Sequence, residues 1–169
     1  MRESGSRRIG LVSILCALAI ALGVAECMLP VPYGIPGIKL GLGNVAILLT
    51  LYGVDAKASF TVLIIKIMVS ALYSGSMLSL AYSVGGGFLS FLVMLLFSKL
   101  LPHDCIWVVS VFGSVIHIVT QVLIASVVMN STSVLLLLTV YVPTSVIAGV
   151  FTGLCSTFVL KIIKKYRKN

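Results

Sequence analysis

Lys66, in the apolar stretch LIIKIMVSALYSG, puts an ammonium midway through a segment that otherwise reads as membrane-spanning. A charge at the centre of a span costs roughly 2.5–3.5 kcal/mol on insertion scales, so such a residue faces protein or a water-filled cavity. Ser70 follows at i+4 and Tyr73 at i+7, making one polar stripe on a helix. Gly113, His117 and Gln121, at i, i+4 and i+8, make a second. Glu26, near the end of the first apolar run, and Lys39 and Asn44, within GIPGIKLGLGN (34–44), add groups beside a glycine-rich turn. Lys39 and Lys66 would attract an anionic group, and Asn44, Ser70, His117 and Gln121 would orient it by hydrogen bonds. Glu26 would pair with a lysine or meet a cationic group of the ligand.

Each residue also has a plainer use. Glu26 could simply pair with Lys66 or Lys39. His117 and Gln121 could be interhelical glue worth about 0.6 kcal/mol each. Lys39 could snorkel to the interface. So many costly groups in a chain with so few favour a ligand cavity for the set as a whole.

The elements that must position these groups follow from composition. Of 169 residues, 60% are hydrophobic and 9% charged, whereas roughly a quarter of residues are charged in soluble domains. The expected fold is an all-α polytopic integral membrane protein, one transmembrane domain over 1–169. A spanning helix needs about 20 apolar residues, which allows about six spans, near 9–29, 40–53, 58–73, 78–101, 105–129 and 134–160. The basic start and the AIA at 19–21 resemble a signal peptide, but the first span is expected to be retained. Between the first two spans, LPVPYGIPG (29–37) holds three prolines and two glycines and suits a structured turn or re-entrant segment. Irregular backbone at membrane depth survives only against protein or a water-filled cavity, which points to a site near the outer face.

Charge sets the orientation. Arg2, Arg7 and Arg8 precede the first span; Lys161, Lys164, Lys165, Arg167 and Lys168 end the last; Lys57 and Lys99 lie between spans. With six spans all ten fall on one side, which the positive-inside bias makes cytoplasmic, with both termini there. The net charge of +8 is then a topology signal, and nucleic-acid binding is not expected. The location expected is a bacterial cytoplasmic membrane.

Several chemistries are excluded. GLGN has no following GK[ST] and no preceding strand, so it is not a nucleotide loop. The four cysteines (Cys16, Cys27, Cys105, Cys155) form no CxxC, and neither a metal nor a cofactor is expected. One histidine in a span, with His103 in a loop, is too little for an enzyme. The glycines of SVGGGFLS (83–90) allow close helix approach or a local break lining a cavity. Ala17, Ala21 and Ala25 make a smooth ridge that serves ordinary helix packing or a docking partner.

Taken together, GIKLGLGNVAILLTLY (37–52), LIIKIMVSALYSGSMLSLAYSVGGGFLSFLVM (63–94), FGSVIHIVTQVLIAS (112–126) and VPTSVIAGVFTGL (142–154) resemble the bacterial Gx transporters, a family also labelled heptaprenyl diphosphate synthase component I. That family is similar to the six-helix substrate-binding S components of energy-coupling factor (ECF) transporters. The resemblance implies that Ala17, Ala21 and Ala25 dock on a transmembrane coupling subunit. It also implies that 29–37 covers a solute near the outer face. Three positions depart from the family's usual pattern: Ile118 stands where Asn follows the histidine, Gly43 where Ala is frequent, and Lys66 where Arg is more frequent. A lysine makes a less planar clamp for phosphate or carboxylate.

The synthase label meets a chemical obstacle. Prenyl elongation needs magnesium-bound diphosphate on clustered aspartates, and the four acidic residues, Glu3, Glu26, Asp55 and Asp104, are far apart in sequence. The expected function is therefore a noncatalytic S component that captures a small organic solute, with a coupling subunit and ATPases as partners. The solute would be a vitamin, a flavin or an isoprenoid- or quinone-related compound. The rivals are a membrane partner of a soluble prenyl synthase and a stand-alone carrier.

Overall fold

The computed structural model describes residues 5–28 and 41–166. Its helices are α1 (Gly5–Met28), α2 (Asn44–Gly53), α3 (Ala56–Ser74), α4 (Met77–Leu100), α5 (Ile106–Val128) and α6 (Leu138–Tyr166), with short 3-10 segments at His103–Cys105 and Thr132–Leu137. No strand occurs among the described residues. Five stretches are long and apolar enough to cross a membrane: Arg8–Glu26, Ala56–Ser74, Met77–Leu100, Ile106–Val128 and Thr132–Ile163. Their outward side chains are large and apolar, Ile14, Met68, Leu72, Phe151 and Phe158 among them. Such a surface is a liability in water and the ordinary face of a protein in lipid. The chain is an all-α polytopic membrane protein.

The second apolar segment differs from the expectation of a span over 40–53. Its helix, α2, has ten residues, which reach roughly 15 Å, half of a hydrocarbon core about 30 Å thick. Gly41 explains the early stop. It lies at φ +86°, a left-handed conformation that glycine adopts freely and a helix cannot continue through. At the other end Asp55 stops α2 and starts α3, its Oδ1 accepting the Ala58 N–H at 2.7 Å as an N-cap. The same carboxylate pairs with Arg8 of α1. The proline-rich segment at 29–37, and Lys39 with it, lie outside the described residues.

Around α2 the long helices form a ring. α1 rests on α2 and α3, α3 on α4, α4 on α5, α5 on α6, and α6 returns to α2. The half-length helix meets all the others and is buried from 46 to 50. Ile47 and Leu48 pack there with Val62, Leu63, Phe91, Met94 and Val109.

Small residues set the helix spacing, as expected where lipid removes the hydrophobic drive for helices to associate. A Cβ at Gly153 would lie 2.5 Å from Trp107 Cα, and one at Gly149 2.7 Å from Val111 Cα, so α6 touches the backbone of α5. The Ser110 and Thr152 hydroxyls bond across that seam at 2.8 Å. α4 runs unbroken through its glycine triplet, which answers the choice between close approach and a break. Gly85 and Gly86 receive Ile124, His117 and Gln121 of α5, and Gly87 receives Leu63 and Ile67 of α3.

Candidate functional site

Because α2 begins only at Asn44, no helix among the described residues fills the middle of the bundle beyond it. α2 and α3 share the end near residues 53–56. Counting back nine residues to Asn44 and forward ten to Lys66 puts both about 15 Å from that end, at the same depth in the bundle. There Lys66 Nζ donates to Asn44 Oδ1 at 3.2 Å.

Gly43 makes that contact possible. A Cβ there would lie 2.6 Å from Lys66 Cε and 2.8 Å from Nζ, so the lysine tail lies over the bare glycine. Two of the departures noted above, Gly43 and Lys66, thus touch each other: the shorter cation occupies the place an alanine methyl would take.

Glu26 reaches the N-terminus of α2 from α1. Its Oε1 accepts the N–H of Gly41 and, at 2.9 Å, that of Leu42. These amides belong to the turn that leads into α2, and a carboxylate there complements the positive end of the helix dipole. This backbone-holding role was not legible in the sequence, where Glu26 suggested a lysine partner or a cationic group of the ligand. Its second oxygen, Oε2, is buried and has no hydrogen-bond partner among the described residues. The same holds for Asn44 Nδ2, which the lysine contact to Oδ1 turns toward Gly41, 3.0 Å from where a Cβ would stand.

On the far wall, His117 and Gln121 of α5 are both buried. Gln121 Nε2 and His117 Nε2 are 2.8 Å apart; with the amide NH2 donating, the ring nitrogen must be unprotonated to accept. Gly86 admits the pair: a Cβ there would lie 3.1 Å from both Gln121 Cγ and His117 Nδ1. Gly41 faces the same ring: a Cβ there would lie 3.3 Å from His117 Cδ2.

These groups border a cleft of about 340 Å3, its open mouth included, among α1, α3, α4 and α5. Glu26, Lys66, Ser70, Ser83 and His117 supply its polar wall. Asn44 stands behind Lys66, and Gln121 behind His117, each as the partner that holds a lining side chain. Of the seven expected binding residues, six are therefore gathered at one place, and the seventh, Lys39, is outside the described residues. Tyr73 is exposed at the outer part of the α3 stripe. Gly23 and Ser83 are lining residues that the sequence did not single out. Ser83 with Gly87 at i+4 on α4 carried a usable signal, while Gly23 in an apolar helix carried none.

The arrangement suits binding. It offers a cation, a carboxylate oxygen, hydroxyls and an imidazole beside the apolar Leu63 and Ile67, the mix of few polar groups in an apolar lining that ligand sites use. Among the described residues no three His, Cys, Asp or Glu side chains group as metal ligands would. On the outside of α1, Ala17, Ala21 and Ala25 are all exposed.

A family model described as heptaprenyl diphosphate synthase component I matches residues 15–159. No curated protein and no solved structure matches the chain. The matched stretch takes in α2 to α5 whole, most of α1 and α6, and every residue of the cleft. On that extent, the chain belongs to the heptaprenyl diphosphate synthase component I family.

Proposed function

We propose that the chain is the solute-binding membrane component of an uptake transporter of the ECF type. It captures a small anionic organic solute in the cleft around Lys66 and depends on a separate coupling subunit with ATPases for release inward. One observation supports this most: Glu26, Lys66, Ser70, Ser83 and His117, from four helices, converge on one cleft at the depth where α2 ends. Polar groups used only to hold helices together would be spread along the seams, as Ser110 and Thr152 are. The exposed ridge of Ala17, Ala21 and Ala25 gives a coupling subunit a smooth surface to approach.

The test is the amount of small molecule retained per protein after gentle purification of the wild type, Lys66→Ala and His117→Ala. A loss of about tenfold in each variant, equivalent to roughly 1.4 kcal/mol, is expected, with membrane insertion unchanged. Equal retention in all three would overturn the site assignment.

A second reading is favoured by the family's description. As component I of a prenyl diphosphate synthase, the chain would be a noncatalytic membrane partner of a soluble enzyme. Contact would then fall on the basic end that carries Lys57, Lys99 and Lys161, and the cleft would be structural.

A further inference from the structure

The cleft has a second arm. Ala19, Ile20 and Val24 of α1 face Val69 and Tyr73 of α3 across a trough of about 210 Å3. Gly23, Lys66 and Ser70 line both arms and so form the throat between them. Among the described residues the trough is walled by α1 and α3 alone. Ile20, Val24 and Val69 are only half-buried and Tyr73 is exposed, so the trough opens on the side of the bundle, the surface that faces lipid.

We propose that the solute is an anionic amphiphile that reaches the cleft laterally: its head group lies beside Lys66, and its apolar tail leaves between α1 and α3 into the bilayer. This rests on the reading of the cleft as the solute site and narrows the class of solute.

Three observations carry it. The inner arm is the polar one, lined by Glu26, Lys66, Ser70, Ser83 and His117, and suits a charged head group. Beyond the throat residues the outer arm is walled by Ala19, Ile20, Val24, Val69 and Tyr73, a mostly apolar lining that suits a hydrocarbon chain and would leave most of a polar solute's groups unsatisfied. Gly23 is the third. It is buried in the middle of a helix, where glycine is unfavourable relative to alanine, yet an added Cβ would meet nothing within 4 Å. Among the described residues, no neighbour of Gly23 uses the space that its missing side chain leaves. A tail passing through the throat would use it, and Lys66 at the same point supplies the charge an anionic head requires.

The experiment compares anions that share a head and differ in tail. Dodecyl phosphate and dodecanoate, with methyl phosphate and acetate as their short counterparts, are titrated against the purified full-length protein, and bound molecules are counted by native mass spectrometry. The variants are Gly23→Leu, which fills the throat from α1, Val69→Trp, which fills the trough from α3, and Lys66→Ala. Monodisperse gel-filtration profiles establish that the variants fold. The expected result is that at least one long-chain anion binds the wild type about tenfold better than its short counterpart. Binding of that anion falls by about the same factor in Gly23→Leu and Val69→Trp and is lost in Lys66→Ala. Short anions that match the long ones, depend on Lys66 and ignore the two filling variants would overturn lateral access while leaving the solute site intact. Lys66-independent binding, or none by any anion, would overturn both.

Discussion

Lys66 reaches Asn44 because residue 43 has no side chain. Gly43→Ala would place a methyl 2.6 Å from Lys66 Cε; the clash is with the far end of a flexible side chain, so the fold should tolerate it and the ammonium should move. Solute retention is expected to fall several-fold with an unchanged melting temperature in detergent, a combination that ligand counting and thermal unfolding check together. Glu26 behaves differently because its partners are backbone. Glu26→Ala would strip the acceptor from the Gly41 and Leu42 amides, and a buried donor left unsatisfied costs about 1–3 kcal/mol. A clearly lower melting temperature is expected, mostly restored in Glu26→Gln, which keeps an oxygen in place; equal losses in the two variants would argue against this backbone-holding role. Polar site residues such as Lys66, His117 and Gln121 were legible because each is anomalous in an apolar run. Gly23, Gly41 and Gly43 were not, since a glycine shows in sequence what it lacks and only the neighbours reveal what fills the gap.

Among the elements, α2 carries the most weight for its length. Its hydropathy continues through Leu40 and Leu42, so a pattern-based reading extends it to 40–53; the positive φ of Gly41 is a backbone property that hydropathy does not carry. The half-length helix leaves room for a site in the bundle, and the turn leading into it supplies the Gly41 and Leu42 amides that hold Glu26. The α5–α6 seam makes the opposite point. It depends on backbone contact, with Gly153 against Trp107 Cα and Gly149 against Val111 Cα. Gly153→Leu should force the helices apart and destabilise the protein by about 1–3 kcal/mol or more, the usual cost of overpacking. Thermal unfolding would register this as a marked drop, whereas Gly23→Leu, with no neighbour within 4 Å of the added Cβ, should leave it nearly unchanged. The glycine triplet of α4 was legible as close packing or a break, and the unbroken helix decides for packing.

At the scale of the whole molecule, the ring of long helices presents two surfaces with different uses. The cleft lies inside, among α1, α3, α4 and α5, and the alanine ridge faces outward from α1. Ala21→Leu and Ala25→Leu change only the outward surface, so they should spare solute retention and weaken assembly with a coupling subunit; full assembly in both would remove the docking role. Composition alone indicated the membrane class and the helical fold, because 9% charged residues leave few alternatives. Which surface meets a partner was not legible, since a small-residue ridge serves packing and docking equally well until its exposure is known. The most direct test is mass spectrometry of everything that co-purifies with the tagged wild-type protein from its own membrane. A coupling subunit with ATPases, together with a retained anionic solute, is the expected result. A soluble prenyl synthase, with no small molecule in the cleft, would contradict the transporter reading and make the family's description a literal account of the partnership.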